Sequence, residues 1–318
     1  MTNMKKENEG RALAFVLGVR TLTRTFPYLE QLITLFPFFA LLLASSRIAP
    51  FEVLLFVLAF AFVLAAGFTY NQIYDAEKDP GAKNPITRGE VSKGSAFLLL
   101  ALSLSLAIIL FVFTSRSVVA TLLFGAYLFL CFAYSGLGIR LKESIFGPAA
   151  ASIALWSGPP LLVLVSFNYF SVSAILLLIG LFIVYIGNEI KHTRIEDDLD
   201  ASYDCKTFAV IVGKKRAAAA EYSTVTLGSV FLLAGAYYAP TSNTAIIALF
   251  TAAFAISIIS AVLYGARRNY NLQSDVTVII LPYIITRMFL ITYGFVVLLS
   301  PPILIFFALW IFLMKEYP

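Results

Sequence analysis

Apolar residues fill most of this chain in runs of about 20, and short polar or glycine- and proline-containing breaks separate the runs. A helix of about 20 apolar residues is long enough to cross the hydrocarbon core of a bilayer. The pattern therefore predicts an all-α polytopic membrane protein. Its nine predicted transmembrane helices lie at 26–45, 51–70, 94–113, 117–134, 145–167, 171–187, 217–239, 243–264 and 276–299.

The two ends of the chain differ from this pattern. Residues 1–25 are polar and basic, and we predict a cytoplasmic N-terminal tail there. Residues 300–318 are apolar, but the Pro301-Pro302 pair separates them from the ninth span because proline interrupts a helix. This C-terminal tail is a tenth span, a re-entrant piece or an interfacial helix, and the pattern leaves all three open. We treat 1–318 as a single transmembrane domain.

The composition and the charge distribution agree with a membrane protein. The 318 residues are 60% hydrophobic and 13% charged, and the mean hydropathy is +0.89, which is outside the soluble globular range. With the N-terminus inside, the inner segments hold 19 Lys and Arg, whereas the outer loops hold only Arg47 and Arg116. This bias predicts an integral protein of the cell membrane with a cytoplasmic N-terminus. It also explains the net charge of +5 without a nucleic-acid partner.

The carboxylates are concentrated in two short stretches. Six of the seven Asp residues follow the second and sixth predicted spans, which both end on the predicted cytoplasmic side. The first stretch places Asn71, Asp75 and Asp79 four residues apart, so on a helix they drift only about 40° per step and share a face. The second stretch repeats this spacing at Asn188, His192, Glu196, Asp200 and Asp204.

Carboxylate and carboxamide oxygens on one face suit a hard divalent cation. Mg²⁺ usually takes one or two carboxylates from the protein and further oxygens from a phosphate ligand. Lys and Arg flank both stretches and would bind the oxygens of a diphosphate. The two stretches therefore predict a magnesium–diphosphate site. The structural alternative is that carboxylates at a membrane boundary only cap helices or solvate loops.

Three local patterns belong together. They are Asn71-x₃-Asp75-x₃-Asp79; Glu196-x₃-Asp200 followed by Lys206-Thr207 and Gly213; and Tyr134-Ser135 with Arg140-Leu-Lys142 after the fourth span. The first resembles the first aspartate-rich motif of the UbiA-type intramembrane prenyltransferases, the second resembles their second motif, and the third is similar to a further signature of that family. Together with the span count, the resemblance covers essentially the whole chain.

The resemblance implies nine helices around a central cavity that opens sideways to membrane lipid. It implies Mg²⁺-dependent transfer of a polyprenyl group from a polyprenyl diphosphate, such as geranylgeranyl diphosphate, to a lipophilic acceptor. The implied metal ligands are Asn71, Asp75, Asp79, Glu196 and Asp200, with Asp204 as a further ligand or support. The implied diphosphate contacts are Asn71, Arg88, Arg140, Lys142 and Lys206. The implied catalytic residues are Asp75, Asp79, Asp200 and Tyr134, with Tyr134 near the reacting carbon.

The sequence departs from the family pattern at three points. Gln72 stands where Asp often follows the Asn, and Glu196 stands where Asp is commoner. Asn84-Pro85 replaces an Arg-Pro pair near the region where acceptors enter. The acceptor is therefore not identified: an aromatic ring of a quinone precursor, a glycerol-phosphate lipid, a carotenoid and a porphyrin-type alcohol all remain open.

Two other functions remain as alternatives. A UbiA-type terpene cyclase would use the same diphosphate site without a second substrate. A transporter would use the carboxylates as an ion path, but its site would lie near the middle of the membrane, whereas these acids lie at one boundary. Diphosphate release and product analysis separate the three functions.

Overall fold

The computed structural model describes residues 15–23, 32, 34–76, 84–195 and 205–238. Every regular element in these ranges is helical. Helix α6, Gly147–Ser166, consists of an α-helical part, a π-helical turn at Ser152–Ser157 and a second α-helical part. The others are α1 (15–23), α2 (Phe36–Ala44), α3 (Pro50–Asp75), α4 (Lys93–Thr114), α5 (Val118–Ser135), α7 (Val172–Ile195), α8 (Phe208–Val212) and α9 (Lys214–Tyr237).

Five of these helices, α3 to α7, are long and apolar enough to cross a membrane. They correspond to the second to sixth predicted spans. Helix α4 shows why they need a lipid environment, because large apolar side chains such as Leu98, Ile109 and Phe113 lie exposed on its surface. The chain is thus an integral membrane protein. The eighth and ninth predicted spans and the 300–318 tail lie outside the described residues, as does most of the first span before Phe36.

Helix α3 continues beyond its apolar run. The predicted span ends at residue 70, whereas the helix runs to Asp75, so Asn71 and Asp75 lie one turn apart near its C-terminal end. Asn84 caps the C-terminal end of α3, because its side-chain amide donates to the Gln72 carbonyl at 2.8 Å. Its side-chain oxygen also accepts from the Ile86 N–H at 2.9 Å. Asn84, one of the departures from the family pattern, therefore has a structural role here.

A buried aromatic cluster joins α3, α4 and α5. The Phe111 and Phe124 rings stack at 4.0 Å between centroids, and Phe56 meets Phe111 edge-on at 5.6 Å. Phe60 and Tyr127 extend the cluster by edge-on contact at 6.4 Å. Aromatic pairs in these geometries contribute about 0.5–1.5 kcal/mol each beyond the area they bury. These rings are therefore structural core and not lipid-facing side chains.

Hydroxyl groups of α5 and α6 form hydrogen bonds at the π-helical turn of α6 and connect it to α7. The Tyr127 hydroxyl donates to the Ala154 carbonyl at 2.7 Å, and the Ser157 hydroxyl donates to the Ser152 carbonyl at 3.1 Å. The Ser152 hydroxyl in turn donates to the Phe182 carbonyl on α7 at 2.8 Å. These bonds satisfy backbone groups that a π turn takes out of the regular helical ladder. They fix α6 between α5 and α7.

Helices α7 and α9 pack closely because glycine lines their contact. A Cβ at Gly228 would lie 2.6 Å from the Val184 backbone nitrogen, and one at Gly180 would lie 2.8 Å from the Leu232 backbone nitrogen. Small residues let helices in membranes approach to backbone contact. Helix α9 covers the seventh predicted span but starts earlier, at Lys214, and it is not among the five described helices that are apolar enough to cross a membrane.

Helix α1 was not predicted, since the pattern indicated only a polar tail to residue 25. Leu22 is fully buried, and it packs in a small cluster with Ile73, Val91 and Ala96. This contact places α1 beside the C-terminal end of α3 and the start of α4.

Candidate functional site

The loop that follows α5 lies against the C-terminal end of α3. The Leu137 N–H donates to the Tyr70 hydroxyl at 3.1 Å, and the Tyr70 ring meets Phe132 edge-on at 4.9 Å. A Cβ at Gly136 would lie only 2.5 Å from the Tyr70 hydroxyl oxygen, so a side chain has no room there. Tyr70 and Gly136 together position the loop so that its basic residues face the polar end of α3.

Lys142 bridges the two described residues of the first acidic stretch. Its Nζ lies 3.0 Å from the Asn71 Oδ1 and 3.1 and 2.9 Å from the two carboxylate oxygens of Asp75. Both members of the Lys142–Asp75 pair are largely buried, with 23% and 21% of their side-chain surface exposed. Three oxygen atoms thus converge on one positive charge.

Arg140 lies beside this bridge and contacts three groups. Its Nη2 lies 3.5 Å from the Asp75 Oδ1 and 2.5 Å from the Glu143 Oε1, and its guanidinium lies 5.6 Å from the centroid of the Tyr74 ring. Its backbone is left-handed, at φ 45° and ψ 60°, which directs it from the loop into the short 3₁₀ turn Leu141–Glu143. Arginine is uncommon in this conformation, so the surrounding contacts must hold it there.

Two nitrogen atoms of the Arg140 guanidinium make no hydrogen bond to a described residue. Its Nε and Nη1 are buried and have no hydrogen-bond partner in the described part of the chain. Buried polar groups are nearly always satisfied in a folded protein, so these two nitrogen atoms are expected to have acceptors outside the described residues, in the rest of the chain or in a ligand. A guanidinium binds carboxylate or phosphate oxygens with two parallel bonds, so an anionic group is the expected partner.

The four charges of the site balance, since Arg140 and Lys142 face Asp75 and Glu143. The oxygens of Asn71 and Asp75 bind the Lys142 ammonium, and oxygen atoms of this kind are also the ligands that Mg²⁺ prefers. Arg140 lies beside Lys142, and its Nε and Nη1 atoms can bind an anion. The arrangement can therefore hold a cation and an anionic ligand side by side.

Asn188 and His192 of the second acidic stretch lie in the described part of α7, Asn188 partly buried and His192 exposed, whereas Glu196, Asp200 and Asp204 lie outside the described residues. Helix α7 ends at Ile195, and near this end the Arg194 Nε pairs with the Glu221 Oε2 of α9 at 2.9 Å. Cys205 follows the stretch, and its Sγ lies 3.9 Å from the Glu143 Oε1. A residue adjacent to the second stretch thus contacts the loop that carries Arg140 and Lys142.

Several predicted residues are not among the described ones: Asp79, Glu196, Asp200 and Asp204. In the described ranges, no group of three or more His, Cys, Asp or Glu side chains is placed to hold a metal ion. The metal roles of these four residues stay predictions.

Three further predicted residues are described but are not shown in this cluster. Tyr134 lies partly buried in the last turn of α5. Arg88 pairs with Glu90 at 2.7 Å, and Lys206 is exposed just after Cys205. The structure does not show Arg88 or Lys206 in contact with Asn71 or Asp75, so their diphosphate roles stay predictions.

Sequence reasoning missed Tyr70, Tyr74 and Glu143. The two tyrosines precede Asp75 by five residues and one, so the helical repeat could have placed them near the polar end of α3. Glu143 follows Arg140 at the i+3 position of a short turn, a spacing that favours an ion pair. Their contacts with the loop, however, depend on how α3 and α5 pack.

Comparison with known proteins identifies the family. The chain matches the UbiA prenyltransferase family over residues 32–275. No curated protein matches it.

Solved structures share this fold. One concerns digeranylgeranylglyceryl phosphate synthase in membranes; it is 17% identical, with a TM-score of 0.66 over 88% of this chain and 98% of that chain. Another is a UbiA homolog from Archaeoglobus fulgidus bound to GPP and Mg²⁺, with 18% identity and a TM-score of 0.65 over 87% of this chain and 98% of that chain. The same homolog bound to DMAPP and Mg²⁺ gives 20% identity and a TM-score of 0.63 over 89% and 99%. At these identities the likeness establishes the fold.

Proposed function

Because the chain belongs to the UbiA prenyltransferase family, we propose that it transfers a polyprenyl group from a polyprenyl diphosphate to a lipophilic acceptor within the membrane. The reaction releases diphosphate. The observation that carries this proposal is the cluster of Asn71, Asp75, Arg140 and Lys142. The oxygens of Asn71 and Asp75 bind the Lys142 ammonium, so they can accept a cation. The Nε and Nη1 atoms of Arg140 are available to an anionic ligand beside it.

Mg²⁺ fits the first half of this cluster, because Asn71 and Asp75 supply the oxygen atoms that it prefers. Asp79, Glu196, Asp200 and Asp204 are the further proposed ligands. The Archaeoglobus fulgidus homolog binds GPP or DMAPP together with Mg²⁺, which supports the same pairing of metal and diphosphate in this chain. When bound, Mg²⁺ neutralises charge on the diphosphate and makes it a better leaving group.

The chain's own residues act on the departing diphosphate. The bond between the allylic carbon and the diphosphate oxygen breaks, and its electron pair leaves with the oxygen. Arg140 and Lys142 stabilise that developing charge, and their partial burial strengthens the stabilisation. Asn71 and Asp75 would hold the Mg²⁺ ion that binds the same diphosphate. Arg88 and Lys206 are proposed as further diphosphate contacts.

The allylic carbon, now cationic, forms its new bond to the acceptor, which loses a proton. Aromatic faces attract a cation, and Tyr134, in the last turn of α5, is proposed to lie near this carbon. Nine helices around a central cavity, in a single domain spanning residues 1–318, are the proposed setting. The N-terminus and the site are proposed to face the cytoplasm, since the basic residues concentrate on that side.

Product analysis tests the proposal. Purified protein in detergent receives geranylgeranyl diphosphate, Mg²⁺ and one member of an acceptor panel: a hydroxybenzoate, a naphthoate, a glycerol-phosphate lipid and an isoprenoid alcohol. A prenylated product in mass spectrometry, formed with one acceptor only, would support the transferase and identify its acceptor class. A hydrocarbon or alcohol formed without any acceptor would contradict it in favour of a cyclase. If no prenyl diphosphate is consumed, the result would favour the alternative function, a transporter.

A further inference from the structure

We infer that Lys142 is an internal counter-ion that occupies the metal position of Asn71 and Asp75 and is displaced only when a diphosphate arrives. The inference rests on the proposed function and adds an order to it: the divalent cation and the diphosphate enter together, and the cation alone is kept out. Lys142 would then have two positions in the reaction cycle. It lies on Asp75 before the diphosphate arrives and contacts the diphosphate afterwards.

The geometry of the bridge supports the first position. An ammonium group that meets the Asn71 Oδ1 at 3.0 Å and both Asp75 oxygens at 3.1 and 2.9 Å engages the donors that a metal ion would use. A metal ion that binds these oxygens would lie close to the Lys142 ammonium and would be repelled by it. Since Lys142 is tethered through the turn Leu141–Glu143, it competes with the free cation at all times and at high effective concentration.

The charge balance supports the exclusion. Lys142 and the nearby Arg140 compensate Asp75, so the described part of the site offers little net attraction to a free divalent cation. A diphosphate reverses this, because its negative oxygens compete with Asp75 for both basic side chains. As Lys142 moves towards them, Asp75 regains an uncompensated charge and becomes a metal ligand.

The consequence is positive coupling between the two ligands. A diphosphate raises the affinity for the cation, and by linkage the cation raises the affinity for the diphosphate by the same factor. The coupling should depend on the positive charge at position 142. A neutral side chain there would leave Asp75 available to metal without any diphosphate.

The test is a titration of purified protein with Mn²⁺ as the probe, in which electron paramagnetic resonance counts free and bound ion, without diphosphate. Lys142→Met should bind Mn²⁺ roughly tenfold more tightly than wild type, since a largely buried opposing charge has been removed. Lys142→Gln is a second neutral variant with the same expected result, and Lys142→Arg should remain close to wild type. Lys215→Met is the matched control, because Lys215 is exposed at the start of α9, and its loss should change Mn²⁺ affinity little.

A second titration with inorganic pyrophosphate measures the coupling directly. Pyrophosphate should strengthen Mn²⁺ binding to wild type markedly, and this gain should shrink in Lys142→Met and Lys142→Gln. The inference is overturned if folded Lys142→Met and Lys142→Gln bind Mn²⁺ alone no more tightly than wild type. That result would leave the proposed function standing wherever wild type still consumes prenyl diphosphate. If no variant and no pyrophosphate concentration gives bound Mn²⁺, both the inference and the proposed metal site fail.

Discussion

Asp75 is the residue on which both cations of the site converge, with Lys142 at 2.9 Å and Arg140 at 3.5 Å. Asp75→Asn keeps the shape of the side chain but removes the charge that a metal ligand needs. We expect turnover to fall at least about 100-fold, comparable to the loss of one strong electrostatic contact in a transition state.

The measurement is the initial rate of diphosphate release at saturating prenyl diphosphate and Mg²⁺. Glu52→Gln is the matched control, because Glu52 pairs with Arg116 at the other end of α3. Glu52→Gln should stay within about twofold of wild type, as expected for an ion pair with an exposed member. An Asp75→Asn variant with normal turnover would remove Asp75 from the proposed site.

Tyr74 supports Arg140 through its ring, at 5.6 Å from the guanidinium. Tyr74→Leu removes the aromatic face, and since such contacts contribute about 0.5–1 kcal/mol, the KM for the prenyl diphosphate should rise about two- to fivefold. Tyr74→Phe keeps the face and serves as the control. Equal KM values for the two variants would show that the ring face does not position Arg140.

At this scale the sequence predicted the residue types of the site better than their contacts. Asn71, Asp75, Arg140 and Lys142 were all predicted, and the structure brings them together. The bridge from Lys142 to Asp75, however, joins residues 67 positions apart, and no local pattern encodes such a contact. Glu143 and Tyr74 were missed for the same reason, since their role depends on how the loop lies against α3.

At the scale of elements, the apolar runs predicted five described spans and placed most of their ends within a few residues. The exceptions have physical causes. Helix α3 continues to Asp75 because polar residues near a membrane boundary can stay helical where water satisfies them. The π turn at Ser152–Ser157 depends on bonds to other helices, from the Tyr127 hydroxyl of α5 and to the Phe182 carbonyl of α7. Helix α1 depends on burying Leu22 against α3 and α4. A local apolar pattern contains neither signal.

The close contact of α7 and α9 leads to a prediction on stability. In Gly228→Ala, the new methyl group would lie 2.6 Å from the Val184 backbone nitrogen, so the helices must separate. We expect a loss of about 1–3 kcal/mol in unfolding free energy, as for other overpacked contacts, and a lower Tm in detergent.

Gly125→Ala is the matched control on α5, since nothing lies within 4 Å of its new methyl group. Alanine is a better helix former than glycine by about 1 kcal/mol, so this variant should be as stable as wild type or more stable. If both variants shift the Tm in the same direction by the same amount, the close contact of α7 and α9 at Gly228 does not make the added methyl group destabilising.

For the whole molecule, we expect the distribution of Lys and Arg to set the orientation in the membrane. Single cysteines at position 47 and position 215, each in a background without Cys131 and Cys205, should report opposite sides. We expect a membrane-impermeant maleimide to label Arg47→Cys on intact cells and Lys215→Cys only after permeabilisation, because basic segments stay in the cytoplasm. The reverse pattern would place the site on the outer face and contradict the proposed orientation.

The class of the architecture is confirmed, whereas the count of nine spans stays a prediction. An all-helical membrane protein follows from the composition and the apolar runs, and the family match agrees with it. The prediction of nine spans rests partly on 243–264 and 276–299, which lie outside the described residues. The way helices surround a site depends on contacts between distant segments, such as α7 with α9, which only the folded chain reveals.

The function proposed for the cluster at the end of α3 is the activation of a prenyl diphosphate with a divalent cation. It is tested most directly by diphosphate release from geranylgeranyl diphosphate, measured on purified wild-type protein with its acceptor, first with Mg²⁺ and then with excess EDTA. We expect release with Mg²⁺, its loss with EDTA and its return when Mg²⁺ is restored. Release at the same rate in EDTA would contradict a metal-dependent reaction.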